Sequence, residues 1–463
     1  MSAASNSPPV KEPVWPKAFA GAAGCLLGLA LLKFGNPVIL DRLVEPPKTP
    51  LEFVFNSWPV DWGYCMLATV VMTGLPVARF KTNAPRWIVI LPLLWFVWQL
   101  VAATNTVDSK LTRATVTHFA ACLVWFYLGL FALSRVKGLS LFWFFLILAF
   151  AWVLWMGFEQ HFGGLEATRR MVYARPDWEQ LPPEYLKRVA SNRIFSTLVY
   201  PNALAGAILL LLPILMTSLR TLAYLQLDFL GGQIGDGVKI ALRVLGGVVV
   251  GLLAYGGLAC LYWSGSKSGW LIALVLTLVA FLRLPVQRRL KLAIATVSLA
   301  VGLTAFFVKF SDYFGRGATS VGARFDYWRA AWQITVANPI FGTGPGTFSV
   351  PYGKLKAPDS EPTRLVHNDY LEQAADSGLV GFLTYLAFIP GSLVILYRKL
   401  SEDPVRVSAW LGLSGWAMQS FVEFGLYIPA LAWPAFALTG WLWGTASNEK
   451  STSEHPGHSL PST

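Results

Sequence analysis

The sequence predicts an all-α, polytopic membrane protein, a bundle of about 12 spanning helices with two long outward loops. Three observations predict it. Of 463 residues, 55% are apolar and only 13% charged, where an ordinary soluble domain carries about 25% charged residues. Twenty Trp, 30 Phe and a mean hydropathy of +0.52 exceed what a soluble core can enclose while its surface stays polar. The apolar residues also fall in continuous runs near the length of about 20 that a helical span needs. A β-barrel would need alternating segments of about ten residues, and only helices satisfy their own backbone in lipid within such runs. The composition excludes a disordered chain, a collagen-like repeat, a disulfide scaffold and a soluble nucleic-acid-binding domain, so no nucleic-acid partner is expected.

In chain order, residues 1–17 form a polar, Pro-rich N-terminus, expected in the cytoplasm. No small-residue cleavage site follows the apolar run at 18–34, which is expected to be a retained first span. Runs at 59–78, 87–104, 114–133 and 139–157 follow and, with an outward loop at 158–193, make a first membrane unit over 18–189. A second unit, 190–445, holds runs at 194–217, 240–263, 268–283 and 290–309, an outward loop at 309–369, and runs at 371–397, 406–422 and 424–445. Residues 446–463 are polar and expected to be a disordered cytoplasmic tail. Cys25, Cys65, Cys122 and Cys260 lie inside apolar runs and read as packing residues.

The net charge is +12, from 37 Lys+Arg against 25 Asp+Glu. Eighteen of the cations fall in segments that are inward if the N-terminus is cytoplasmic, and six, among them Arg42 and Lys267, fall in short outward segments. That bias orients both termini toward the cytoplasm. The other 13 lie in or beside the two long loops, which translocate regardless of charge. Each loop also carries five acids, so the functional reading rests on individual arginines at the membrane edge and not on a diffuse basic patch.

Four stretches carry chemistry. At 364–386, His367, Asn368 and Asp369 precede an apolar helix that Asn368 or Asp369 is placed to cap; a histidine there suits proton transfer near neutrality. At 324–348, Arg324, Trp328, Ala331 and Trp332 recur at helical spacing, predicting an amphipathic segment along the membrane face. The Gly342–Gly346 turn that follows has backbone N–H groups able to approach an anion, but it lacks the strand and lysine of a nucleotide-binding loop and reads as a plain turn. Arg193 begins a span with Pro201-Asn202 about two turns into it, where polar groups are expected to face a cavity or the bundle interior. Ser264 to Gly269 breaks two spans at the outer edge, with Lys267 either snorkelling or reaching the same cavity. His118, His161 and His367 lack the spacing of a metal site. No metal and no cofactor are expected.

Together the four stretches resemble the O-antigen ligase-like family of bacterial membrane glycosyltransferases, over roughly residues 190–445. His367 to Leu371 matches an HNxYL-type element. Arg324 with Pro339 to Phe348 matches an Arg-rich segment leading into a Pro-x-x-Gly-x-Gly pattern, and Pro201-Asn202 matches a Pro-Asn helix. Ser266-Lys267-Ser268 stands where the family has Ser-Arg-Gly, so Lys replaces Arg. The resemblance implies a C-class glycosyltransferase-like bundle in the bacterial inner membrane, with the active site in the periplasmic loops. It implies transfer of an oligo- or polysaccharide en bloc from undecaprenyl pyrophosphate to the hydroxyl of a lipid, glycan or protein acceptor, inverting and without a metal. Arg193 and Arg324 would clamp the diphosphate, with Arg364 or Lys267 helping, and Asn202 and Asn368 would contact substrate. His367 would take the acceptor proton, and Glu423 would orient His367 or bind sugar. Ligase and polymerase share this chemistry. The rival reading is a transporter or flippase of lipid-linked sugars, for which inverted repeats and broken midplane helices are expected.

Overall fold

The structure, a computed structural model, describes residues 14–174, 176, 178–180, 186, 189–229, 235–315, 319–358, 360–400 and 403–453. Among these there is no strand; the protein is an all-α membrane protein. The helices are α1 (Val14–Lys33), α2 (Pro50–Phe55), α3 (Val60–Gly74), α4 (Arg86–Ala102), α5 (Ser109–Phe131), α6 (Ser140–Glu159), α7 (Leu165–Tyr173), α8 (Pro201–Phe229), α9 (Asp236–Trp263), α10 (Lys267–Leu282), α11 (Arg288–Lys309), α12 (Ser311–Gly315), α13 (Thr319–Ala337), α14 (Ser349–Leu355), α15 (Asp369–Lys399), α16 (Pro404–Gln419) and α17 (Pro429–Ser453).

Every expected apolar run lies largely within a helix, but not every one has the measure of a span. Eight helices among the described residues are long and apolar enough to cross a bilayer: α1, α4, α5, α6, α8, α9, α11 and α15. The expected 12 crossings are not reached by that measure. Helices α3, α10 and α16 have 15, 16 and 16 residues, about 22–24 Å at ~1.5 Å per residue against a hydrocarbon core of about 30 Å. Helix α17 misses for a different reason. Every residue from Glu423 to Gly444 is buried, so this helix faces protein and not lipid, and is built from Ala, Gly, Thr and Trp.

Small residues let α17 lie against α5. A Cβ at Gly440 would overlap the Phe126 carbonyl, and one at Gly129 would overlap that of Ala437. Gly440 and Gly444 keep the four-residue spacing of close helix pairs in membranes. Trp95 fills the adjoining layer, with its ring 5.0 Å from Phe119, 5.7 Å from Tyr385 and 6.0 Å from Phe436. Much of the aromatic surplus is therefore packing between helices. Gly440→Leu is expected to abolish a monodisperse, folded protein, since overpacking against backbone exceeds the usual cost of about 1–3 kcal/mol. Gly247→Leu, at a position where an added Cβ would meet nothing within 4 Å, is the control expected to fold normally in gel filtration and thermal melts.

Several expected boundaries move. Helix α1 begins at Val14, inside the segment expected to be a polar N-terminus, because Pro16 is tolerated in a first turn. Helix α17 continues to Ser453 into the expected disordered tail, while 454–463, including His455 and His458, lie outside the described residues. The run expected as a span from 194 becomes a helix only at Pro201, whose missing N–H and fixed φ suit a first helical position. Residues 194–200 hold only a 3-10 turn at Ser196–Leu198, with positive φ at Ser196 and Val199. Such backbone survives in a membrane protein only if the protein satisfies it. Here Gln160 Oε1 accepts from the Phe195 and Ser196 amides, at 3.0 and 2.7 Å, and Ser196 Oγ donates to the Val153 carbonyl at 2.6 Å. Asn202 consequently sits in the first turn of α8 and not two turns into a span.

Candidate active site

The α16–α17 turn places Glu423 at the meeting point of three separate segments. Its Oε1 accepts from Arg324 Nη2 at 2.5 Å and from Asn202 Nδ2 at 2.5 Å, and its Oε2 lies 3.3 Å from His367 Nδ1. Arg324, in the second turn of α13, also donates from Nε to the Val422 carbonyl at 3.1 Å and from Nη1 to the Ser320 carbonyl at 3.2 Å. Arg193 donates from Nη2 to Asn202 Oδ1 and from Nε to the Ser264 carbonyl, both at 2.7 Å. Gly265 makes that approach possible: it has φ +60°, and a Cβ there would sit 3.3 Å from Arg193 Nε. A guanidinium has five donors, so three of Arg193's and two of Arg324's remain for a ligand.

Those two arginines, Asn202 and Lys267 line a cavity of about 440 Å³ whose other wall includes Leu271, Phe307 and Trp328. Lys267 opens α10, where Ser266 Oγ caps the helix by accepting from the Gly269 amide at 3.2 Å. Its Nζ stands 3.8 Å from the Tyr313 ring centre, a cation–π contact. The cavity is thus cationic on one side and apolar on the other.

Electrostatics keep the hub charged. Burial opposes ionisation of Glu423, but the Arg324 guanidinium and the bond to His367 more than offset it, holding its pKa below the ordinary 4.5. Burial lowers the pKa of Arg193, with Glu423 acting against that and Arg324 with it; guanidinium still stays protonated. A carboxylate with a depressed folded pKa stabilises fully above its ordinary value and loses that contribution as pH falls through the folded one. Glu423→Gln is therefore expected to cost on the order of 3 kcal/mol near neutrality. The stability gap should be flat from about pH 8 to 6 and close below about pH 4.5. Melting curves across that range would contradict this if the gap stayed constant into the acid limb.

His367 is held by its neighbours more than by itself. It has φ +55°, uncommon for a residue with a side chain and maintained only where the surroundings over-determine it. Glu372 Oε2 accepts from the preceding Val366 amide at 2.9 Å, and Asn368 Oδ1 caps α15 by accepting from the Tyr370 and Leu371 amides at 3.1 and 3.0 Å. Asp369 ties this corner to the Glu423 turn: its amide donates to the Ser420 carbonyl at 2.8 Å, and its Oδ2 accepts from the Leu426 amide at 3.0 Å. The imidazole packs at 4.7 Å against Phe424 and 5.8 Å from Tyr327. With Nδ1 directed at a carboxylate it carries the proton there, leaving Nε2 as the basic nitrogen.

The structure thus brings His367, Arg324, Arg193, Asn202 and Glu423 into one bonded network and Lys267 into the same cavity. It separates two other residues expected there. Arg364 lines a different cavity. Asn368 spends its carbonyl on the α15 cap, as the capping alternative in the sequence had it, and lines neither of these cavities. Of the amphipathic row on α13, Ala331 is fully buried while Trp332 is exposed; Ala331 clusters with Tyr327, Ile334 and Ala375 of α15, while Arg324 and Trp328 face the cavity.

The glycine turn does meet a carboxyl group, and it is the protein's own. Gly346 N donates to Asp376 Oδ2 at 2.6 Å, Gly344 N to the Asp376 carbonyl at 2.9 Å, and Tyr427 OH to Asp376 Oδ2 at 3.1 Å. Helix α15 breaks at Ser377–Gly378, where Gly378 has φ +69°, and the turn seats against that break through Leu379 N and the Pro339 carbonyl at 2.8 Å. Asp369, Glu372, Gln373 and Asp376 are all fully buried, and of these only Asp369 stands out in the sequence, as a cap. Their i, i+3, i+4, i+7 spacing inside an apolar run was the available signal.

Comparison with known proteins bears on the same region. Residues 249–386 match the family described as O-antigen ligase, a segment running from the second half of α9 into α15. It contains Lys267, Arg324, Arg364 and His367, but not Arg193, Asn202 or Glu423. An uncharacterized protein of Haemophilus influenzae is 29% identical over 164 residues, an alignment covering 30% of this chain and 40% of the relative.

Proposed function

We propose that this chain, whose residues 249–386 match the O-antigen ligase family, serves polysaccharide and lipopolysaccharide biosynthesis by transferring a glycan from a polyprenyl pyrophosphate, undecaprenyl pyrophosphate in bacteria, to an acceptor hydroxyl. The observation that carries this reading is the Arg193–Asn202–Glu423–Arg324–His367 network opening on a half-cationic, half-apolar cavity. Arg193, Lys267 and Arg324 against Glu423 leave the cavity two positive charges in excess, the complement of a diphosphate diester. Its apolar wall suits the first carbons of a lipid tail.

In the proposed step, His367 Nε2 removes the proton of the acceptor hydroxyl as that oxygen attacks the anomeric carbon. The C1–O bond to phosphate breaks, and its electron pair leaves on the pyrophosphate. Charge grows on the departing oxygens, where the free donors of Arg193 and Arg324 supply charge-assisted hydrogen bonds fixed before the reaction. Glu423 keeps imidazole in the tautomer that accepts at Nε2 and then stabilises the imidazolium. Single displacement inverts the anomeric carbon. The arginines do what a divalent ion does elsewhere, so turnover is expected to be unchanged by EDTA; loss of activity restored by added Mg²⁺ would overturn the metal-free assignment.

All the network segments lie at one end of the bundle, while Arg135 reaches the Lys81 carbonyl at the other. With the positive-inside bias this supports a periplasmic site in the inner membrane and cytoplasmic termini. The break in α15 is a feature expected of a transporter, but it is filled by the Gly342–Gly346 turn, which favours chemistry at the surface over passage. Cells lacking the protein should accumulate unligated long chains if it acts as a ligase, or single repeats if it acts as a polymerase.

A further inference from the structure

A second outward cavity, of about 320 Å³, lies near His367 and shares no lining residue with the first. Its walls come from three distant parts of the chain: Arg42 after α1, Asp108 at the start of α5, and the 349–364 segment with Tyr352, Lys356 and Arg364. Three cations therefore face one acid, and that acid is already engaged, since Asp108 Oδ1 accepts from the Lys110 and Leu111 amides at 2.9 and 3.1 Å. Arg42 and Arg364 are exposed and make no side-chain bond to protein among the described residues. Uncompensated arginines gathered from separate loops around one concave, half-polar space are a recognition feature for anions.

The cavity is coupled to the reacting centre. Tyr352 lies in its wall, packs edge-on against Tyr327 at 5.6 Å, and Tyr327 in turn lies 5.8 Å from the His367 ring. Arg364 precedes His367 by three residues, which span at most about 10–11 Å of extended chain. A glycan with a hydroxyl at His367 Nε2 therefore has its neighbouring sugars within reach of this cavity, while the diphosphate side of the reaction belongs to the Arg193–Lys267 cavity.

We propose that the Arg42–Lys356–Arg364 cavity is an acceptor subsite for an acidic sugar, one bearing a carboxylate or a phosphate next to the residue that is glycosylated. This rests on the transferase reading for the word acceptor, but the binding it predicts does not need turnover. Arg42, an incidental outward charge by topology, and Arg364, a candidate for the diphosphate, both take their role from this second site.

The test uses the full-length protein in nanodiscs without donor, titrated with trigalacturonic acid, galactose 6-phosphate and uncharged galactotriose. At least one acidic probe is expected to bind about tenfold or more tightly than galactotriose, and the better of the two identifies the anion. The Arg42→Gln/Arg364→Gln double variant should lose that preference, Arg42→Lys/Arg364→Lys should retain part of it, and Arg324→Ala should keep it although its turnover falls. Equal affinity for acidic and neutral probes, or an unchanged preference in the double glutamine variant, overturns the subsite and leaves the transferase reading standing. Acid-selective binding in a protein that never forms a glycosidic bond does the reverse.

Discussion

His367→Ala is expected to lower kcat by about 10²–10⁴-fold, the usual contribution of a positioned general base, with KM for the lipid-linked donor little changed. The donor's diphosphate is assigned to Arg193, Lys267 and Arg324, none of which the substitution touches. The effect should therefore fall on the chemical step. His367→Gln sharpens the result. Its amide can still donate to Glu423 and preserve the corner, yet it has no basic nitrogen, so it should be as inactive as the alanine variant while melting closer to the parent. Turnover within a few-fold of the parent in either variant, measured with saturating donor, removes His367 from its assigned role.

Arg324→Lys is the second large effect, with an expected loss of about 10²–10³-fold in kcat. The substitution keeps the charge and discards the fork. In the parent, Arg324 spends three donors on Val422, Ser320 and Glu423 and keeps two; an ammonium has three in all and no fixed plane. It cannot hold the turn, the hub carboxylate and a phosphate oxygen together. The loss should appear in kcat because the contacts strengthen as charge develops on the leaving group. A Lys variant with normal transfer would show that a point charge suffices and that the paired clamp is wrong.

What the sequence disclosed depended on the range of the interaction. Apolar runs report lipid or protein interior over about 20 residues, which is why each became mostly helix. The same measure could not separate a lipid-facing span from α17, which is buried within the bundle as far as Gly444, nor show that α3, α10 and α16 have only 15, 16 and 16 residues. Pro201 was visible, and its preference for a helix start gave the true beginning of α8, but the length of the apolar run from 194 outweighed it. Within the site, residue types and order pointed to His367, Arg324, Arg193, Asn202, Lys267 and Glu423. The partners that fix them lie far off in sequence: Glu423 is 221 residues from Asn202, and no local pattern encodes that pairing. Nor could the turn at Gly342–Gly346 reveal that its partner is Asp376, 30 residues on. Arg364 lines a different cavity from Arg193 and Arg324, and proximity to His367 in the chain does not tell which cavity a neighbouring arginine lines.

The central claim is that the network breaks a glycosyl–pyrophosphate bond and forms a glycosidic bond in one step. Purified protein given undecaprenyl-pyrophosphate glycan and acceptor should release one undecaprenyl pyrophosphate for each acceptor hydroxyl glycosylated, in EDTA as in its absence. Intact donor appearing on the opposite side of a vesicle with no new glycosidic bond, or release of undecaprenyl monophosphate in place of the pyrophosphate, would contradict it.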